Sequence, residues 1–281
     1  VAITITGNSQ LANTKNDLIV SLVQKELRFQ AKLLPYFTDY SAFAGKGLKS
    51  IQVPRFSSFT VQDRPTGIDG DVLALTAAKD IINIDKRFYV SWIVDSMDEL
   101  ESSVEVQSLM LQRGATAHAR AIDSALIANL RSVSVDLGNV PVTYAQLLDM
   151  VTYLKKADAN ISDAAFIVSP EQVKVLMGLN EFKSSEFYGS NPIATGQVGR
   201  IMGIPVVEHN GLVDGELYLA ERGAIGYAFQ QAPNVAVQSK IEYGTTATLT
   251  AVDQKFGSAG LQIAEKSAPA GKTPLSVGIF V

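Results

Sequence analysis

Hydrophobic and polar positions change their rhythm several times along the chain. Val1 to Thr14 is polar and without a period, and Leu18, Leu22, Phe29 and Leu33 then recur at helical spacing, with Asp17 in the first turn and Leu34-Pro35 as a stop. This predicts an arm followed by one amphipathic helix whose apolar face needs a cover. From Gly45 the pattern becomes alternation: Ile51 and Val53, then Phe59 and Val61, lead into the polar turn Asp63-Arg64-Pro65-Thr66-Gly67-Ile68-Asp69-Gly70-Asp71. Beyond the turn, Ile82, Ile84, Lys86, Phe88, Val90, Trp92 and Val94 keep a period of two and predict a single strand of about 43 Å. A hairpin that long exceeds what a small core requires. Lys86 on its apolar side predicts that part of it leaves the body and lies against another surface.

Ser96-Met97-Asp98-Glu99 has the form of a capping box, in which the serine hydroxyl and the glutamate carboxylate each accept one of the free amides at a helix start. The stripe behind it, Met97, Leu100, Val104, Leu111, Ala115, His118, Ile122, Leu126 and Leu130, holds the helical period and predicts a rod of about 52 Å. Its charges agree with the helix dipole: Asp98, Glu99, Glu101 and Glu105 come early, while Arg113, Arg120 and Arg131 come late. Gly114 is its weak position and reads as a bend or a close approach of another backbone.

After Pro141 helix and strand alternate. Thr143 and Gln146 form a second capping box, opening a helix with Leu147, Leu148, Val151 and Leu154 inward and Lys155 and Lys156 at its end. Ala164 to Val168 reads as a buried strand, and Ser169-Pro170-Glu171-Gln172 starts a helix that closes at Gly178. Strands are expected over 205–208, 216–220, 224–229, 235–240 and 245–252, with a tail from Ser267 lying on a surface.

Charge and composition narrow the classes. Lys plus Arg number 24 against 28 Asp plus Glu, a formal charge of −4, which excludes a basic nucleic-acid-binding domain. With 47% hydrophobic and 19% charged residues the chain is globular, of one large domain or two smaller ones. No apolar run approaches the roughly 18 residues of a membrane-spanning helix, so a soluble protein without a membrane partner is expected. The first twenty residues lack the basic start and apolar stretch of a secretory leader. There is no cysteine, which removes disulfides and thiolate chemistry together.

Candidate chemistry is sparse. His118 lies on the apolar stripe of the long helix and reads as a core histidine, while His209 sits in the turn-like Glu-His-Asn-Gly; no two histidines have metal-ligand spacing. Ala270-Gly271-Lys272-Thr273 resembles the end of a phosphate loop, but Lys266 stands where the first glycine belongs and Pro274 forbids an immediate helix. Ser258 lacks a nucleophile elbow and a nearby base. The carboxylate pairs Asp98/Glu99 and Asp69/Asp71 are explained by a helix start and a solvated turn. No catalytic, metal or cofactor residue is therefore assigned, and no enzyme activity is expected.

The order of elements, together with Ile84-Asp85, Val94-Asp95-Ser96-Met97-Asp98, Ala121-Ile122-Asp123-Ser124-Ala125-Leu126 and Arg200-Ile201-Met202-Gly203-Ile204-Pro205-Val206-Val207, resembles the major capsid proteins of tailed bacteriophages, of the Hong Kong 97-type fold. The likeness runs from about Asp17 to Ala264. It implies an α+β chain with an N-terminal arm and helix (1–44), an extended β-hairpin loop (45–94), a peripheral domain with a spine helix (95–140), an α/β axial domain (141–233), and return strands with a C-terminal tail (234–281). The loop tip, Asp63, Arg64, Asp69 and Asp71, is the expected contact with a neighbouring subunit, and Leu100, Val104, Leu111, His118, Ile122 and Leu126 form the spine-helix core. The implied function is a structural protein that assembles as pentamers and hexamers into an icosahedral shell around double-stranded DNA. That DNA is touched weakly and nonspecifically, since a wall gripping phosphate would hinder packing and release. Copies of the chain are the principal partners, with scaffolding, portal and cement proteins as further ones. The location is the virion capsid, assembled in the host cytoplasm. The tip carries no lysine, so a noncovalent shell is expected. An encapsulin-type compartment uses the same fold, and a small soluble α/β enzyme is the reading from another class.

Overall fold

Ala164–Val168 is buried along its whole length, and the reason is visible in what lies on either side of it. Ala165 and Ile167 point into one apolar cluster while Ala164, Phe166 and Val168 point into another, so every position is apolar and no alternation survives. The structure is a computed structural model that describes residues 31–45, 47–56, 61, 77–95, 106–138, 142–179, 199–239, 247–262 and 272–279. The predicted arm and most of its helix lie outside them.

The strands are β1 (Thr38–Asp39), β2 (Ser50–Phe56), β3 (Ala77–Asn83), β4 (Lys86–Asp95), β5 (Val135–Asp136), β6 (Ala164–Val168), β7 (Arg200–Ile201), β8 (Ile204–Glu208), β9 (Leu217–Glu221), β10 (Ile225–Ser239), β11 (Ala247–Gly260) and β12 (Ser276–Ile279). The helices are α1 (Val106–Val133), α2 (Tyr144–Lys156) and α3 (Pro170–Gly178). A four-stranded sheet runs β1-β10-β11-β4, a six-stranded sheet runs β5-β12-β9-β6-β8-β7, and β2 and β3 form a separate two-stranded ribbon. None of the helices among the described residues is long and apolar enough to cross a membrane.

The six-stranded sheet is covered on one face by α2 and α3. Leu147, Met150, Val151, Leu154 and Leu176 pack there against Phe166, Leu217, Leu219 and Val277. Thr143 caps α2 through both bonds of a capping box, and Ser169 caps α3 with Pro170 in its first turn. Leu148, expected inward, is exposed, and Met150 takes its place. The other face meets the C-terminal half of α1, whose Ile122, Leu126, Ile127 and Leu130 also touch Ile225, Tyr227 and Phe256 of the four-stranded sheet. Leu33 and Phe37 close the same core just beyond the break at Leu34-Pro35.

Several expectations are corrected. The alternating run 82–94 is two strands: β3 pairs with β2, whereas β4 pairs with β11 over ten residue pairs, Lys86 opposite Phe256 through Asp95 opposite Ala247. Alternation persists across the join because Ile84 is buried at the ribbon's foot just before the chain enters the second sheet. The strands expected at 224–229 and 235–240 are one strand, β10, with register shifts between Phe229 and Asn234. The described end of the C-terminal segment, residues 273–279, does not lie on a surface. Residues 276–279 are buried as β12, between β5 and β9, and the Ser276 hydroxyl meets that of Ser134 at 2.6 Å.

Met202 and Gly203, both with positive φ (52° and 84°), form the two-residue turn that pairs Ile201 with Ile204. Positive φ at both central residues is the geometry that twists a hairpin in the right sense.

Candidate functional site

Neither histidine is set up for catalysis. His118 on α1 is 4% exposed and turns its ring edge toward Phe88 of β4, centroids 6.4 Å apart. His209 follows β8 and is buried rather than displayed in a turn. Its Nδ1 accepts the Gly211 amide at 2.9 Å, which leaves the proton on Nε2, 3.0 Å from Asp123 Oδ2. Asp123, fully buried on α1, also accepts the Lys32 amide at 3.0 Å and the Leu33 amide at 3.4 Å. One carboxylate thus ties the long helix, the loop after β8 and the entering chain together. Among the described residues no three histidine or acidic side chains gather as a metal site. The pairs Asp98/Glu99 and Asp69/Asp71 lie outside the described residues.

A second polar tie crosses the same core. Arg131 at the end of α1 holds Glu216 through two parallel bonds of 2.7 and 2.8 Å, and Glu216 also accepts the Val213 amide. The Glu216 carboxylate raises the Arg131 guanidinium further above its already high range. Tyr218 is pushed well above the usual phenol range, first by burial and then by Glu216. At the far edge, burial raises the Glu221 carboxyl against the pull of the Asn160 amide, and Asp163 adds to the rise. Asp253 is lowered by its hydrogen bonds from Arg87 across the outer face of the four-stranded sheet.

The spine-helix prediction divides in three. His118, Ile122 and Leu126 are buried. Leu100 and Val104 lie outside the described residues, and so does the side chain of Leu111. Ala115 is exposed, because the inward line of α1 runs through Gly114 instead. A Cβ built on Gly114 would stand 3.0 Å from the Trp92 ring, so the glycine admits a side chain of the sheet rather than a backbone.

What remains as a working surface is the ribbon. Its foot is fixed: Ile51, Ile82 and Ile84 pack on Ala228 and Leu261, and a Cβ on Gly257 would collide with the Asn83 carbonyl. Gln262 gathers the surrounding strands. Its carbonyl and its Oε1 each accept from Arg55 Nη1 at 2.9 Å, its amide donates to Asp80 Oδ2 at 2.8 Å, and its Nε2 donates to the Lys272 carbonyl at 2.8 Å. One face of the ribbon is bare along its described length, with Phe56 56% and Ile81 44% exposed, while Ile51, Val53, Arg55, Asp80 and Ile82 on the other face are buried or half-buried. Its tip, with Asp63, Arg64, Asp69 and Asp71, lies outside the described residues. The pattern did not single out Asp123, Glu216 or Gln262. For Asp123 a signal existed, a lone carboxylate inside the apolar helical run Ala121-Ile122-Asp123-Ser124-Ala125-Leu126-Ile127.

Comparison with known proteins adds an independent line. A family model described as phage capsid protein matches residues 46–266. No curated protein matches the chain. Among solved structures, one from Mycobacterium phage Che8 superposes with a TM-score of 0.72 at 18% identity, covering 89% of this chain and 91% of its own. The capsid asymmetric unit of cyanophage Pam1 gives 0.68 at 14% identity, covering 90% and 92%. The mature capsid of bacteriophage PhiM1 gives 0.65 at 14%, covering 90% and 86%.

Proposed function

This chain belongs to the phage capsid protein family, and from that premise we propose how its parts serve a shell. It is a major capsid protein, a structural component of the virion rather than an enzyme, with a mixed α+β fold that matches phage capsid structures. The finer assignment is that of a Hong Kong 97-type subunit. In it the β2–β3 ribbon is the extended loop, α1 the spine helix, the six-stranded sheet with α2 and α3 the axial domain, and the four-stranded sheet the peripheral domain.

The observation that carries this reading is the ribbon, held on one face by Gln262 and the isoleucine cluster and bare on the other. A two-stranded ribbon is marginal in water by itself, so its bare face calls for a second surface, which copies of the chain supply. Asp63, Arg64, Asp69 and Asp71 at the tip meet that neighbour. Repeated around rings of five and six, the contact closes an icosahedral shell around double-stranded DNA. Scaffolding, portal and cement proteins complete the particle. The weakly acidic chain holds the genome without gripping it.

Negative-stain microscopy of the expressed full chain tests this directly. Closed shells of uniform diameter are expected; a single small species at all concentrations would refute the assembly role.

A further inference from the structure

An open cleft of about 980 Å³ lies at the foot of the ribbon, where Leu48 and Lys49 enter β2 and residues 83–87 pass from β3 to β4. Its charge is lopsided. Lys49, Lys86, Arg87 and Lys255 line it against the single carboxylate of Asp85. Arg87 is already engaged by Asp253, and among the described residues no carboxylate forms an ion pair with the three lysines. The lining carries an exposed apolar side chain as well, Leu48, 47% exposed.

The chain carries the matching chemistry elsewhere. Asp95, Asp98, Glu99, Glu101 and Glu105 form a run with no lysine or arginine between Arg87 and Arg113, and Met97, Leu100 and Val104 are interleaved with them. The described residues at either end of this run, Asp95 and Val106, lie away from the cleft of their own copy. Lys86 and Asp95 stand at opposite ends of β4, about 30 Å apart at the rise of a strand. On α1, Gly114 packs on Trp92 and His118 on Phe88, so the helix runs antiparallel to β4 and Val106 lies beyond the Asp95 end. Both ends of the run are therefore held away from the cleft.

We propose that the cleft receives the acidic run 95–105 of a second copy of this chain. The two surfaces differ, so the contact is head-to-tail, the kind that closes into rings when the rotation fits. Paired carboxylates and apolar side chains fit lysines set beside the exposed Leu48; a phosphate backbone would leave that leucine uncovered. The proposal rests on the capsid reading and names where its subunits join.

A charge swap in the full-length chain tests it. Lys86→Glu with Lys255→Glu, and separately Glu99→Lys with Glu101→Lys, should each lower the yield of sedimenting particles at least about tenfold, since like charges then face one another. Circular dichroism of the unassembled chain should stay unchanged, and the four changes combined should restore most of the yield. Should reversal unfold the chain, Lys86→Gln with Lys255→Gln replaces it, with reduced yield expected. Parental yield from either neutral or reversed variants, or no recovery in the combined one, overturns the proposal. Normal shells that retain less DNA assign the cleft to phosphate and overturn it too. If the parent itself forms no shells, the capsid reading fails and the proposal falls with it.

Discussion

Asp123 and His209, on α1 and on the loop after β8, hold each other at 3.0 Å in a site closed to solvent. Each of the remaining acceptors there is used by a backbone amide, from Gly211, Lys32 or Leu33. The pair joins three parts of the chain that are distant in sequence, so it positions the long helix relative to the six-stranded sheet. His209→Ala should strand the buried carboxylate and the Gly211 amide, and destabilise the unassembled chain by about 3 kcal/mol. A double-mutant cycle with Asp123→Ala, read by urea unfolding, should give a coupling above roughly 1 kcal/mol. Additive effects would mean that the two side chains do not act as a pair.

Gly114 of α1 packs directly on the Trp92 ring of the four-stranded sheet. Gly114→Leu should force the helix off the ring and cost on the order of 1 to 3 kcal/mol, despite the better helix propensity of leucine. Trp92 is the chain's sole tryptophan, so its emission should shift to the red in this variant. An unshifted spectrum with parental stability would place the helix elsewhere.

Glu221 gives a pH dependence of defined sign. Burial raises its carboxyl above the ordinary value of 4.5, so folding favours the protonated form. That contribution is fully present below the unfolded value and is lost as pH rises through the raised folded value. Glu221→Gln should therefore be more stable than the parent at pH 7, with the difference shrinking as pH falls through the raised folded value and gone below about 4.5. A gap that widens toward acid pH would reverse the assignment.

Gln262→Ala removes the side-chain acceptor of Arg55 and the donor to the Lys272 carbonyl while leaving the backbone links. Two hydrogen bonds of this kind contribute about 1 to 3 kcal/mol together. The chain should keep its circular dichroism, while limited proteolysis near the ribbon foot should speed up. Unchanged cleavage would show that the anchor lies elsewhere.

Signals confined to a few neighbouring residues could be read directly from the chain. The Thr143–Gln146 box, Ser169-Pro170 and the stop at Gly178 each bring their own hydrogen-bond chemistry, and α2, β6 and α3 fall where those residues place them. Partner choice is a different matter. Period two across 82–94 states that faces alternate, and it is blind to the change from β2 to β11 as the neighbouring strand. Ser276–Ile279 is short and preceded by Pro274; only its place between β5 and β9 makes it a strand. The inward line through Gly114 rather than Ala115 depends on the Trp92 ring, which no helical period encodes. The overlong hairpin read from the period over 82–94 does not survive, since 86–94 belongs to β4 in the four-stranded sheet, and the ribbon's Gln262 anchor joins residues far apart in the chain.

Hydrogen exchange of the ribbon amides, residues 50–56 and 77–83, compared between intact particles and dissociated subunits, tests the central claim most directly. If neighbouring copies cover the bare face of the ribbon, exchange around Phe56 and Ile81 should slow at least about tenfold on assembly, while the core strand β6 changes little. Equal ribbon exchange in the two states would contradict the account.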